Sequence, residues 1–177
     1  MLDALKDFCR RRSLLRHASA VPTGIVPLAE LHSAVVFIDV EDPEFDACKR
    51  DVQAFFRNYG LKGEIFFFDF RKISAGERLI TSITNTVLRK DLNWFGKPSR
   101  EKVNLLLNGQ PDLFLSLLPG APFPLAYMAT TSVARFKVGR EQLSGGTFDL
   151  VVKDPAGKTL SQREALQAII TYLDKIQ

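Results

Sequence analysis

Two aspartates, Asp39 and Asp69, each fall near the end of an apolar run, over residues 33–40 and 63–70. Acids at the carboxyl ends of buried strands could position a hydroxyl, hold a metal, or serve as acid and base if adjacent. They could equally cap the loops that begin there. The second constellation is Asp91-Leu92-Asn93-Trp94-Phe95-Gly96-Lys97-Pro98, which carries the only tryptophan. Trp94 and Phe95 could stack a base or a sugar while Lys97 and Arg100 hold a phosphate. Alternatively the pair locks an irregular loop onto the core, with Gly96 allowing the reversal and Pro98 limiting it. A large aromatic pair is costly to expose, so docking on the core or on a partner is expected.

Other reactive residue types lack the spacing their chemistry needs. His17 and His32 have no partner in an H-E-x-x-H or H-x-x-E-H arrangement, so no metal site is expected. Ser116 lies inside an apolar run and not in a G-x-S-x-G elbow. Neither G-x-G-x-x-G nor G-x-x-x-x-G-K-[ST] occurs, which disfavours a dedicated NAD or ATP site; no cofactor is implied. Cys9 and Cys48 are far apart without a ligand cluster and read as reduced structural thiols.

Positioning these groups requires a fold, and 177 residues with 46% hydrophobic and 25% charged content suit one globular unit. Fourteen phenylalanines predict an aromatic core. No stretch reaches the roughly 18 continuous apolar residues that a membrane-spanning helix needs. The N-terminus is mixed in charge, lacking the basic-then-apolar order of a secretory signal, so a cytoplasmic location is expected. The net charge of +4 is uneven: Lys6, Arg10, Arg11, Arg12 and Arg16 form one basic region. Arg71, Lys72, Arg78, Arg89, Lys90, Lys97, Arg100 and Lys102 form a second around Trp94. Such a field could favour phosphate or nucleic acid, but no RNA-binding, zinc-finger or arginine-rich signature accompanies it, so nucleic acid is disfavoured.

The chain divides into an N-terminal amphipathic helix and linker over 1–30 and a single α/β domain over 31–177. Leu2, Leu5, Phe8 and Leu15 among charges give the first helix an apolar stripe and an Arg-rich polar side. It could pack back on the domain, pair with a second copy, or lie on anionic lipid. Pro22, Gly24 and Pro27 break regular structure after it. Strands are expected at 33–40, 63–70, 111–118, 135–139 and 147–152. Helices are expected over 42–59, 100–107 (capped by Ser99), 125–134 and 161–176. Residues 71–90, with Ile73, Leu79, Ile80, Ile83, Val87 and Leu88, commit to no period and are read as a loop with a short extended piece. Alternating strands and helices predict an α/β fold, a mostly parallel open sheet with helices on both faces, Rossmann-like and three-layered.

The Trp94 segment, Pro111-Asp112-Leu113-Phe114-Leu115-Ser116-Leu117 and Ala134-Arg135-Phe136-Lys137-Val138-Gly139 together resemble a family of short, uncharacterised proteins from Bacteroidetes. That resemblance spans nearly the whole chain and implies a fold unit without an activity. The apolar strand at 112–117, the small-residue helix and the 134–139 block are also similar to the N-terminal half of heptosyltransferase-like glycosyltransferases. In that family the other half supplies most of the nucleotide-sugar site.

The leading expectation is a non-enzymatic domain that binds a partner protein or a small anionic ligand through its basic face, with Trp94, Lys97 and Arg100 as contacts. A second is a half-glycosyltransferase-like enzyme with Asp39 or Asp69 as base or metal ligand. A third is nucleic-acid binding through Arg10, Arg11, Arg12, Arg89, Lys90 and Lys97. A homodimer through the N-terminal helix is a further partner expectation.

Overall fold

The computed structural model describes residues 2–72 and 81–177. Ile73, Arg78, Leu79 and Ile80 lie outside the described residues. Six strands, β1 (Ser33–Asp39), β2 (Lys62–Asp69), β3 (Thr86–Leu88), β4 (Leu113–Ser116), β5 (Phe136–Gly139) and β6 (Leu150–Val151), form one sheet in the order β3-β2-β1-β4-β5-β6. Every pairing between them is parallel. The helices are α1 (Leu2–His17), α2 (Phe45–Asn58), α3 (Arg100–Gly109), α4 (Phe123–Thr131) and α5 (Gln162–Leu173). The result is the parallel, helix-flanked, Rossmann-like three-layer arrangement expected from the alternation of strands and helices.

Strand pleating sorts the core into two layers. Ala34, Val36 and Ile38 of β1 face α2 and α5, where Cys48, Val52, Phe55, Leu166 and Ile169 close over them. Val35 and Phe37 face the α3 and α4 side with Phe66, Phe68, Phe114 and Phe148. Phe37 stacks between Phe66 and Phe114 at centroid distances of 5.2 and 4.7 Å; the other layer buries Phe45, Phe55, Phe56, Phe67 and Phe136, so the phenylalanine excess is shared by both faces of the sheet. Two glycines admit the rings on either side. A Cβ on Gly63 would meet the Phe56 ring at 2.2 Å, and one on Gly139 would meet the Phe148 ring at 2.4 Å.

Helix ends follow local sequence. Ser161 and Glu164 form a reciprocal capping box that starts α5. Ser99 begins α3, and Gln110 ends it at a left-handed φ of 42°. Lys137 reaches from β5 to donate to the Ala129 carbonyl in the last turn of α4 at 2.8 Å. Burial pulls that ammonium below its ordinary pKa, with Asp149 opposing.

Several elements differ from their expected extents. The expected strand at 147–152 is a two-residue pairing, Leu150–Val151, and the one at 111–118 is confined to Leu113–Ser116. Helix α4 starts at Phe123, with Pro124 in its first turn where a missing N–H costs nothing. Within the unassigned 71–90 stretch, Thr86–Leu88 pairs with β2 at the sheet edge. Helix α1 packs on α4 through a strip of mixed polarity that includes half-buried Cys9 and Leu14, while Arg11, Arg12 and Arg16 are exposed. Ser13 is buried and Lys6 and Arg10 are half-buried, whereas Leu5, Phe8 and Leu15 are 51%, 59% and 84% exposed. The apolar stripe read from its sequence is therefore the outer face.

Candidate functional site

In this strand order the connections reverse direction between β1 and β4, and ligands of open parallel sheets bind in the crevice beyond those carboxyl ends. Here two side chains of the chain itself fill that position. Leu117 N–H still donates to Phe37 C=O at 3.0 Å, the last rung between β1 and β4. The next rung would require Asp39 N–H to reach Leu117 C=O and an N–H at residue 119 to reach Asp39 C=O. Residue 119 is proline and has no N–H. Gln162, 1% exposed at the start of α5, substitutes: its Oε1 accepts from Asp39 N at 2.7 Å and its Nε2 donates to Asp39 O at 2.8 Å. Arg140, 4% exposed at the end of β5, takes the Leu117 carbonyl through Nη1 at 2.9 Å. Its Nη2 grips Asp154 at 2.6 and 2.7 Å and reaches the Leu160 carbonyl at 2.8 Å.

The two candidate acids sit beside this filled crevice in unlike surroundings. Asp39 pairs in register with Phe68, one residue before Asp69, so the pleat assigns the two carboxylates to opposite faces of the sheet. Asp39 Oδ1 accepts from Glu41 N at 2.9 Å. Burial pushes its carboxyl above the ordinary value; the Glu41 hydrogen bond opposes this, and the charges of Glu41, Asp42 and Asp69 add to it. Asp69 is buried and held by Arg71, whose Nε and Nη2 donate to Oδ1 and Oδ2 at 2.8 Å each. That guanidinium pulls the Asp69 carboxyl below its ordinary value against the cost of burial.

The Trp94 loop lies between β3 and α3, closed by an antiparallel bridge from Leu92 to Pro98. Asn93 organises its turn: Oδ1 accepts from Phe95 N at 3.2 Å and Lys97 N at 2.9 Å, and Gly96 takes a φ of 92°. Trp94 is 54% exposed and meets Phe95 edge-on at 5.3 Å. Phe95 turns toward Phe123 of α4 at 6.1 Å, and Lys97 Nζ stands 5.1 Å from the Tyr127 ring. The loop thus docks on α4 through Phe95 and Lys97, while Trp94 keeps an open face. Arg100 is exposed as the first residue of α3.

Arg10 of α1 joins this loop to the rest of the surface. Its Nε donates to Phe95 O at 2.8 Å and its guanidinium lies 5.2 Å from the Phe123 ring. The same arginine lines a cleft of about 840 Å³ between α1, α4 and the 141–145 segment, with Arg11 beside it and Leu14, Phe123, Ala126 and Leu143 among its apolar lining. Asp7 and Glu141 are the acids in its wall. Trp94 does not line this cleft, and Arg10 is ion-paired within it to Asp7 at 3.5 Å, so Arg11 is the cleft's second basic group beside an apolar floor.

Across residues 11–176 the chain matches a family of unknown function, DUF6913. It belongs to that family. No curated protein and no solved structure matches it. The DUF6913 match takes in the whole sheet, the Trp94 loop, Arg140 and Gln162, and begins within α1 at Arg11.

Sequence reasoning about this DUF6913 chain missed Phe123, Gln162 and Arg140, and read Arg10 only as part of a basic region and a nucleic-acid contact, not as the tether of the Trp94 loop. The bonds of Gln162 and Arg140 depend on sheet register, which a single sequence does not display. Arg10 carried a signal: with Lys6, Ser13 and His17 it falls at the four-and-three spacing of one helix face. Among the described residues, no group of three His, Cys, Asp or Glu side chains could hold a metal. No described helix is long and apolar enough to cross a membrane.

Proposed function

We propose that this protein is a non-enzymatic binding domain that takes a small anionic ligand at the surface formed by α1, α4 and the Trp94 loop. The single observation that carries this reading is Arg10, which tethers the aromatic-basic loop and lines the adjoining cleft. Arg10 and Arg11 supply charge for a phosphate or carboxylate; Trp94 supplies an open ring for a planar group. Exposed Arg100 extends the basic surface outward, and Lys97, seated over the Tyr127 ring, adds charge at its edge. The occupied crevice between β1 and β4 favours binding here over the position usual for nucleotides in such sheets. The Bacteroidetes family resemblance, which implies a fold without a reaction, is consistent with this role. A cytoplasmic setting is part of the same reading, supported by free Cys9 and by buried Cys48, whose thiol burial pushes up to about 12.

Trp94 is a built-in reporter, being the only tryptophan. Titration with inorganic phosphate, a nucleoside diphosphate and a sugar phosphate should shift its fluorescence for at least one of them. Arg10→Ala combined with Arg11→Ala should weaken that response tenfold or more. Absence of both a spectral change and a calorimetric signal with all three compounds at millimolar concentration would overturn the reading.

A second reading, an enzyme resembling half of a glycosyltransferase, is favoured by one observation: the Asp39 carboxyl sits at the sheet's carboxyl edge with its proton affinity raised. Turnover of a sugar phosphate or nucleotide sugar that Asp39→Asn abolishes would install it in place of the first. Oligonucleotide binding, the third reading, should fall steeply with salt, and its absence at low ionic strength discards it.

A further inference from the structure

We propose that a smaller cavity, of about 320 Å³ between the end of α1, the last turn of α4 and residues 144–147, is a binding site for a small monocarboxylate whose anionic head pairs with the Lys137 ammonium. Lys137 lines this cavity and is 3% exposed, whereas Leu15, Ala18 and Gly145 in the same wall are exposed. The lysine therefore lies at the inner end.

An ammonium carries three N–H donors. One goes to the Ala129 carbonyl at 2.8 Å, and among the described residues Lys137 Nζ has no second acceptor and no ion pair. Asp149 is close, but its oxygens serve other donors: Oδ2 accepts from Lys137 N–H and Oδ1 from the Thr23 hydroxyl, each at 2.8 Å. A role in capping α4 accounts for one bond and leaves two donors over. A buried cation in that condition is costly, and the depression of the Lys137 pKa by burial has the same origin. An anion in the cavity supplies both the charge and the acceptors.

The lining selects the class of ligand. The Thr130 and Thr147 hydroxyls stand 3.5 Å apart, at the far limit of a hydrogen bond, so both can turn to a carboxylate oxygen. Leu14, Ala18 and Val21 give the cavity an apolar side that suits a short hydrocarbon tail. One cation with Asp149 nearby balances a monoanion and works against a phosphate dianion. The walls are tied down, since Ser19 N–H donates to Thr130 C=O at 2.9 Å and holds the segment after α1 across α4. This inference does not rest on the α1–α4 anion surface: Leu14, Leu15 and Thr130 border both cavities, but Arg10, Arg11 and Trp94 do not line this one.

Titration of the full chain with acetate, butyrate and hexanoate at constant ionic strength is followed by NMR at Lys137 Cε and at the methyl groups of Leu14, Val21 and Thr147. Saturable shifts are expected at millimolar concentration or below, tightening from acetate to hexanoate. Butyramide, the neutral isostere, should bind at least tenfold more weakly. Lys137→Met keeps the buried stem and should abolish saturation with butyrate. Thr147→Val preserves the shape of the wall and should weaken butyrate severalfold at an unchanged thermal midpoint, so it decides the matter even if Lys137→Met does not fold. Trp94 fluorescence reports the anion surface and the Lys137 resonance reports this cavity, so either reading can fail alone. No saturable shift with any of the three acids, equal binding of butyramide, butyrate binding that survives Lys137→Met, or wild-type affinity in Thr147→Val would each overturn the proposal.

Discussion

Gln162 and Asp39, 123 residues apart in sequence, meet as two strand residues would: the side-chain amide accepts from the Asp39 N–H at 2.7 Å and donates to its C=O at 2.8 Å. Its own backbone N–H donates to Asp42 Oδ2 at 3.0 Å, so the first turn of α5 is fastened to the loop after β1. The chain thereby completes the ladder that Pro119 interrupts.

Gln162→Ala leaves both backbone groups of Asp39 without these partners in a site that admits little water. The expected cost is about 2–3 kcal/mol of unfolding free energy, read from the urea midpoint at constant slope. Gln162→Glu is expected to cost a similar amount, because a carboxylate oxygen would then face the Asp39 carbonyl. Wild-type stability in both variants would remove the surrogate-strand role.

Arg140 is a buried cation whose charge is balanced by Asp154, with side-chain exposures of 1% and 21%. Removing only one partner strands the other charge. Arg140→Met is expected to lose about 3–5 kcal/mol, and joint replacement of Arg140 and Asp154 by apolar residues is expected to recover part of that loss. Chemical denaturation of the single and double variants measures the difference.

The parallel sheet was legible because β1, β2 and β4 are continuous apolar runs, separated by segments with helical spacing and capped by Ser99 and Ser161. Short elements were legible only loosely: the extended piece expected within 71–90 and the strand expected at 147–152 narrow to Thr86–Leu88 and Leu150–Val151, which carry too few residues to display a period. The outward face of α1 was hidden for a different reason. Its apolar stripe would ordinarily point inward, and contacts made far along the chain, Arg10 with Phe95 O, Leu14 with the core and His17 with Tyr127, hold the opposite face against the domain. Asp39 and Asp69 were recognisable as strand-end acids, but their separation onto opposite faces follows from the pairing of Asp39 with Phe68, which requires the register.

Gly139 lies beneath the Phe148 ring with no room for a methyl group. Gly139→Ala therefore must displace Phe148 or bend β5, an overpacking cost of about 1–3 kcal/mol. Coupling to Phe148→Leu supplies the check. If the close approach is the cause, the alanine is better tolerated beside the smaller side chain in thermal unfolding, and equal losses in both backgrounds would refute it.

Asp69 and Asp39 should pull the acid stability profile in opposite directions. The Asp69 carboxyl is lowered in the fold by Arg71, so its stabilisation is full above the unfolded value of about 3.9 and is lost as pH falls through the folded value. The Asp39 carboxyl is raised, so its ionisation destabilises the fold progressively as pH rises from the unfolded value through the folded one. Asp39→Asn, which retains an oxygen for Glu41 N–H, should be more stable than wild type at pH 7 and lose that advantage near pH 3. Asp69→Asn should be less stable at pH 7, with the gap closing in acid. Denaturant titrations at both pH values test the two signs separately.

Arg10 is the one side chain of α1 that both bonds the Trp94 loop and stands over Phe123. Arg10→Ala removes a part-buried hydrogen bond and a cation-ring contact together, an expected loss of about 1–2 kcal/mol, whereas exposed Arg12→Ala should change stability little. The sharper readout is local. Hydrogen exchange should accelerate in Leu2–His17 and in residues 93–97 of the Arg10→Ala protein while the strands keep their protection, because the tether joins two peripheral elements without entering the core. Trp94 emission should move further toward that of a fully solvated indole in the same variant. Faster exchange confined to α1, with residues 93–97 unaffected, would show that the loop holds its shape through Asn93 and Phe95 alone and that Arg10 merely rests on it.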